Sequence, residues 1–210
     1  MNEGIRLNNV YKRYGDQMVL DGVNQEFLPG LIHGITGRNG SGKTVLLKCI
    51  CGFTPVTKGE IFVFSKPVRC FVPQNIGIIL EEPGFLGSYS AYTNLRILAG
   101  IRRKPEKQAL CAALEKVGLD PTDKKPVEKF SLGMRHRLAI AQAIIDKPPL
   151  LILDEPMNGL DRDGVKEISE LFSRLRQEGI TILITSHYPE DLARISDSIW
   201  HMESGKLSLV

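Results

Sequence analysis

No apolar run in this sequence is long enough to cross a bilayer. Segments such as 150–153 and 180–184 stop far short of the ~18 residues a helical span needs. The opening stretch, MNEGIRLNNVYKRYG, has no apolar core of the kind a secretory signal carries, so the chain is expected to stay in the cytoplasm and to reach a membrane only through other proteins. Cysteine is scarce: Cys49, Cys51, Cys70 and Cys111 show neither CxxC spacing nor a histidine at ligand spacing, which excludes a disulfide scaffold or zinc ribbon and leaves them as small hydrophobes of the interior. No dense basic run is present, and 27 Lys and Arg against 24 Asp and Glu give a net charge of only +3, so a nucleic-acid partner is not expected. Internal repeats and low-complexity stretches are also missing. What remains is 210 residues of ordinary globular composition, 42% hydrophobic and 24% charged, enough for one large domain or two lobes sharing a core.

Periodicity places strands at both ends and helices in the middle. Residues 5–10 and 17–28 alternate loosely around Gly15-Asp16, which predicts an antiparallel ribbon. Leu31–Thr36 is a short β-like run that meets a glycine-rich turn, and Thr44–Cys51 then reads as an apolar helix ending at Gly52. Further strands are expected at Glu60–Phe64 and Ile76–Leu80. From Ser88 to Ile145 the β-like runs stop, and Leu95, Leu98, Leu110, Leu114 and Val117 recur at helical spacing, so a helical lobe is inserted there. Continuously apolar strands return at Leu150–Leu153, Ile180–Thr185 and Ile199–Met202, with a helix over Gly164–Gln177, and such strands belong to a parallel sheet covered on both faces. The expected organisation is a single α/β domain over 1–210, with 1–87 and 146–210 forming the core and 88–145 the helical insertion.

Two motifs carry chemistry. Gly37-Arg38-Asn39-Gly40-Ser41-Gly42-Lys43-Thr44 fits the P-loop pattern G-x-x-x-x-G-K-[ST] between an apolar strand and an apolar helix. In such a loop successive backbone N–H groups turn toward a phosphate, the lysine reaches the β and γ phosphates, and the hydroxyl of Thr44 is offered to Mg²⁺. Leu150–Leu153 ends in Asp154 and Glu155. A strand beside the P-loop would place Asp154 near Mg²⁺ and leave Glu155 to polarise an attacking water.

Three more elements resemble those of ABC-type ATP-binding subunits. Phe130-Ser131-Leu132-Gly133-Met134 and the following Arg135–Ala141 resemble the signature motif and its helix, Asn158-Gly159-Leu160-Asp161 resembles the D-loop, and Thr185-Ser186-His187 resembles the switch histidine. The resemblance runs through essentially the whole chain in order. It implies a P-loop NTPase core with a mostly parallel sheet, an N-terminal antiparallel β subdomain and an inserted helical signature subdomain. It also implies a head-to-tail dimer of two such subunits with two ATP molecules at the interface, each held by one subunit's P-loop and the other's signature loop. Lys43, Glu155 and His187 are then the catalytic candidates. Tyr14 against the base, Asn39 to Thr44 on the phosphates, and Ser131, Gly133 and Asp161 from across the interface are the nucleotide contacts. Thr44, Asp154 and Glu81 are the candidates for Mg²⁺. Tyr11 is the fallback for Tyr14, and His33, His136 and His201 are read as structural.

The departures from the common pattern are informative. Leu132 and Met134 stand where LSGGQ has glycine and glutamine. After the strand at 76–80 comes Glu81-Glu82-Pro83-Gly84-Phe85, so glutamate stands where the Q-loop supplies glutamine, with Glu82 as a rival and Gln74 as a decoy ahead of the strand. FSLGM with EEPGF resembles the branch serving exporters of the bacitracin-resistance, lantibiotic-immunity and ABC-2 kind, working with a separate integral-membrane permease, and KKPVEK ahead of Phe130 lacks the fused multidrug-exporter pattern. The end of the chain soon after its last strand argues against an importer subunit with a regulatory extension. Expected cofactors are ATP and Mg²⁺, and the expected location is the inner face of the cell membrane. Two alternatives stay open at this point. One is a soluble ABC-type ATPase of DNA repair or cofactor assembly; the other is an unrelated P-loop GTPase or kinase, for which no NKxD-like motif is found.

Overall fold

Alternating apolar residues build the first of two sheets in the computed structural model, which describes residues 4–68, 75–81, 84–101 and 105–210. Cys70, Gln74, Glu82 and Pro83 lie outside the described residues. Strand β1 (Ile5–Tyr14) buries Ile5 and Leu7, then Val10, and the alternation slips because Asn9 takes a φ of 47° at a bulge. The side chain of Asn24 accepts the Asn9 N–H at 2.8 Å, so the bulge leaves no unpaired donor there. β2 (Gln17–Phe27) pairs antiparallel with β1, as the ribbon reading expects; β4 (Lys58–Val63) pairs on the other side and carries the two-residue β5 (Lys66–Pro67).

The second sheet contains β3 (Ile32–Thr36), β6 (Ile76–Ile79), β7 (Leu150–Leu153), β8 (Thr181–Ser186), β9 (Ser198–Glu203) and β10 (Lys206–Leu209) in the order β10-β9-β3-β8-β7-β6. All neighbours pair in parallel except β10, which returns antiparallel along β9. The sheet explains the unbroken apolar runs, because alternate residues enter different cores. Leu151, Leu153, Ile182 and Ile184 face one core with Phe172 and Leu138. Leu150, Ile152 and Leu183 face the other with Leu46, Ile50 and Phe27.

Helix α1 (Lys43–Ile50) fills the second core with Leu46, Leu47, Cys49 and Ile50, while α5 (Arg162–Gln177) lays Ile168, Leu171, Phe172 and Leu175 on the first. Cys49 and Cys51 are buried as expected, whereas Cys111 is only half-buried. The helices α2 (Ala91–Gly100), α3 (Lys107–Lys116) and α4 (Leu132–Ile144) come from the helical insertion and join the first core. The lobe meets the sheet where α4 crosses β6: a Cβ at Gly77 would lie 2.2 Å from the Ala143 carbonyl oxygen, so only glycine permits this approach. A short α6 (Pro189–Ala193) was not anticipated, and neither was β10. Among the described residues, no helix is long and apolar enough to cross a membrane. The architecture is the expected one: a parallel-stranded P-loop core with an antiparallel β sheet and a helical insertion.

Candidate nucleotide site

Parallel pairing brings the polar ends of four strands to one edge of the sheet. Thr36 of β3 stands opposite Ser186 of β8, Leu153 of β7 opposite Ile184 of β8, and Ile79 of β6 opposite Leu153. Each strand hands over at that edge to a motif: β3 to the P-loop, β7 to Asp154-Glu155, β8 to His187 and β6 to Glu81. Ligand sites of open parallel sheets form at this carboxyl edge, where neighbouring loops diverge.

The P-loop depends on its glycines at two points. Gly37 has a φ of 150°, and a Cβ there would come within 2.3 Å of the Met202 carbonyl oxygen. Gly42, with a φ of 111°, precedes α1, which starts without a side-chain cap. The first amides of the helix are therefore left for a ligand, the arrangement that favours an anion. The buried Ser41 hydroxyl has no partner among the described residues. Lys43, only 5% exposed, curls back over the loop: its Nζ donates to Gly37 O at 2.7 Å and to Arg38 O at 3.3 Å. Asn39 and Gly40 occupy the turn and face an open cleft shared with Gln17, Arg38 and His201.

The carboxylates are tied to this loop through hydroxyls. Thr44 Oγ1 donates to Asp154 Oδ2 at 2.6 Å, and Thr185 Oγ1 donates to Asp154 Oδ1 at 2.6 Å. The same Thr185 oxygen accepts the Glu155 N–H at 3.0 Å. Glu155 has a φ of 49°, a left-handed backbone that side-chain-bearing residues seldom adopt. Its Oε1 lies 3.7 Å from Lys43 Nζ, and its Oε2 accepts a hydrogen bond from His187 Nδ1. The His187 ring packs at 3.9 Å between centroids against Tyr188. Lys43, Thr44, Asp154, Glu155 and His187 thus form one connected cluster, although the chain separates the Thr44 and Asp154 hydroxyl and carboxylate by 110 residues.

Other candidates are placed elsewhere. Ser131 caps α4 by accepting the Met134 N–H at 3.2 Å, and Asp161 caps α5 by accepting the Gly164 N–H at 2.8 Å. Gly133 sits where a Cβ would be 3.0 Å from the Gly159 carbonyl oxygen, so the signature turn rests on the D-loop segment. No hydrogen bond or ion pair among the described residues joins Ser131, Gly133 or Asp161 to the P-loop cluster. Glu81 does not meet Thr44 or Asp154 either: its carboxylate is hydrogen-bonded to Lys48. Tyr14 is 48% exposed at the end of β1, with Lys12 Nζ 4.7 Å from its ring centroid. Tyr11 instead packs over Gly22, its hydroxyl 2.9 Å from where a Cβ would stand.

Sequence reasoning missed two participants. Thr185 is fully buried and joins Asp154 to Glu155, and its signal was a hydroxyl near the end of a strand, two residues ahead of His187. Replacing it by valine preserves the shape but removes a donor to Asp154 and the acceptor for the Glu155 N–H. Each buried group left unpaired costs about 1–3 kcal/mol, so the urea midpoint of Thr185→Val is expected to fall clearly while Thr185→Ser recovers most of the loss. Equal midpoints for wild type and Thr185→Val would show that the hydroxyl carries no stability. Lys48 is the second, with a signal in its position one helical turn after Thr44.

The family described as ABC transporter matches residues 20–158. The chain belongs to the ABC transporter family. Among relatives of this ABC chain, the lantibiotic transport ATP-binding protein SrtF of Streptococcus pyogenes is 37% identical over 205 residues, covering 98% of this chain and 89% of that one. The bacitracin transport ATP-binding protein BcrA of Bacillus licheniformis is 40% identical over 211 residues, covering 99% and 69%. The solved dimer of the ATP-binding cassette MJ0796, in a post-hydrolysis state bound to ADP and Pi, has a TM-score of 0.86 with 97% and 96% of the two chains covered; at 23% identity it shows the shared fold. The ABC chain is thus an ATP-binding, ATP-hydrolysing transport subunit.

Proposed function

We propose that this subunit drives export of a peptide antibiotic or similar amphipathic compound through a separate membrane permease, as a head-to-tail dimer at the inner face of the membrane. The similarity of nearly the whole chain to lantibiotic and bacitracin transport ATP-binding proteins supports that cargo class. The whole of 1–210 works as one ATPase domain, with 1–87 and 146–210 holding the nucleotide and 88–145 supplying the signature loop to the partner subunit.

One observation carries the chemistry: the Glu155 carboxylate is held by His187 beside Lys43 and one residue after Asp154. The uncapped start of α1 and the unpartnered Ser41 hydroxyl receive the phosphates of ATP, and Lys43 exchanges the Gly37 and Arg38 carbonyls for the β and γ oxygens. Tyr14 offers its exposed ring to the adenine. Glu155 accepts the proton of the attacking water, and His187 fixes the carboxylate during that transfer. The donor set also suits a hard cation, since the Thr44 hydroxyl and the Asp154 carboxylate already lie 2.6 Å apart. Mg²⁺ is commonly held by one or two protein ligands and completed by phosphate and water, which is what Thr44 and Asp154 could supply. Bound there, Mg²⁺ supplies neutralisation of charge on the β and γ phosphates.

Ser131 and Gly133 open α4 toward solvent and are offered to the ATP of the other subunit. A 1:1 mixture of Ser131→Arg and Lys43→Ala chains, each inactive alone, is therefore expected to recover about a quarter of the wild-type ATPase rate, since half of the dimers then hold one intact composite site. No recovery, with mixed dimers verified by mass, would argue against shared sites. The transport reading itself is tested with cells that carry this chain and the permease that co-purifies with it, loaded with a fluorescent peptide antibiotic. Efflux is expected with the wild-type chain and not with Glu155→Gln; equal accumulation in the two would overturn it.

A further inference from the structure

Glu81 leaves β6 in the left-handed backbone region, with a φ of 63°, and its carboxylate lies on the ammonium of Lys48. Lys48 projects from α1 four residues after Thr44, so the two side chains share a face of the helix one turn, about 5.4 Å, apart. Lys48 belongs electrostatically to the same corner. Its hydrogen bond to Glu81 holds its pKa above the ordinary lysine range against a partial loss from burial, and the charges of Glu81, Tyr14 and Asp154 add to the effect. The pair is open to solvent, with side-chain exposures of 32% for Lys48 and 65% for Glu81, so it can exchange partners without unfolding anything.

We propose that Lys48 is a positioning residue that holds the Glu81 carboxylate off the divalent-cation site and thereby sets the cation concentration at which that site loads. The inference rests on the sequence expectation that Glu81 serves the cation, together with the site proposed above for it at Thr44 and Asp154. An ammonium and a divalent cation compete for one carboxylate charge, and the ion pair must be broken or shared before Glu81 can serve the cation. The contact joins the first helix after the P-loop to the segment that follows β6. That segment is itself fixed to the helical lobe: Asn94 accepts the Leu86 N–H at 2.8 Å, and the Glu128 N–H donates to Gly87 O at 3.0 Å.

The test measures Mn²⁺ binding to the full chain by electron paramagnetic resonance in the presence of a non-hydrolysable ATP analogue. Lys48→Met is expected to tighten Mn²⁺ about two- to fivefold, the span an exposed ion pair can account for. Lys48→Arg, which keeps the charge, is expected to stay at the wild-type value. In a Glu81→Ala background Lys48→Met is expected to change nothing. The proposal is overturned by unchanged or weaker Mn²⁺ binding in Lys48→Met, by tightening in Lys48→Arg, or by tightening that persists without Glu81. Weaker binding in Glu81→Ala beside a silent Lys48→Met removes Lys48 alone. Glu81→Ala at the wild-type affinity removes the assignment of Glu81 and the proposal with it.

Discussion

A Glu155→Gln chain is expected to bind ATP about as tightly as wild type and to hydrolyse it at least about a hundredfold more slowly, the lower end of what a positioned general base contributes. Glutamine keeps the size of the side chain and an oxygen for the His187 hydrogen bond, and the Thr185 contact uses the backbone N–H of residue 155, which the substitution leaves alone. The amide cannot take a proton from water. ATP should then remain trapped and the dimer accumulate, visible as an earlier peak in size-exclusion chromatography with ATP present. Phosphate release at the original rate, or a chain that stays monomeric with ATP, would remove Glu155 from this role.

Lys43→Ala acts on binding itself. The side chain lies almost fully buried over the loop, within hydrogen-bonding reach of two carbonyls that a phosphate would replace. A charge-assisted hydrogen bond is worth about 1.5–3 kcal/mol, so affinity for a fluorescent ATP analogue should fall about ten- to a hundredfold. His187→Ala should leave affinity nearly unchanged and slow turnover, because His187 touches Glu155 and not the P-loop. Equal losses of affinity in the two variants would erase the division between a phosphate-binding and a carboxylate-holding residue.

The difference between these variants is partly legible in the sequence. The P-loop and the Asp154-Glu155 pair are local patterns whose meaning depends on a few adjacent residues. The apolar runs around them identified the parallel strands because both faces of that sheet are covered. What local pattern cannot reveal is which strand ends become neighbours. Thr185 looked like one more β-branched strand former, and only the pairing of β7 with β8 shows its hydroxyl between Asp154 and the Glu155 N–H. Lys48 stands one helical turn after Thr44, and only the course of β6 brings Glu81, 33 residues away, onto it. Ser131, Gly133 and Asp161 are singled out only by resemblance to the signature and D-loop; within this chain Ser131 and Asp161 cap α4 and α5, and Gly133 rests on the Gly159 segment. The hairpin of β9 and β10 escaped because the polar–apolar alternation of Lys206–Leu209 lasts only four residues, too few to stand out.

The backbone at Glu155 sets durability against turnover. A residue with a β-carbon in the left-handed region stores strain on the order of 1 kcal/mol, and here the Thr185 oxygen on the Glu155 N–H helps hold it there. Glycine would adopt the same conformation freely, though without a carboxylate it would leave water unactivated. On the role proposed for Glu155, stability alone would favour glycine at this position and turnover would favour glutamate, so backbone strain and chemistry would fall on one residue.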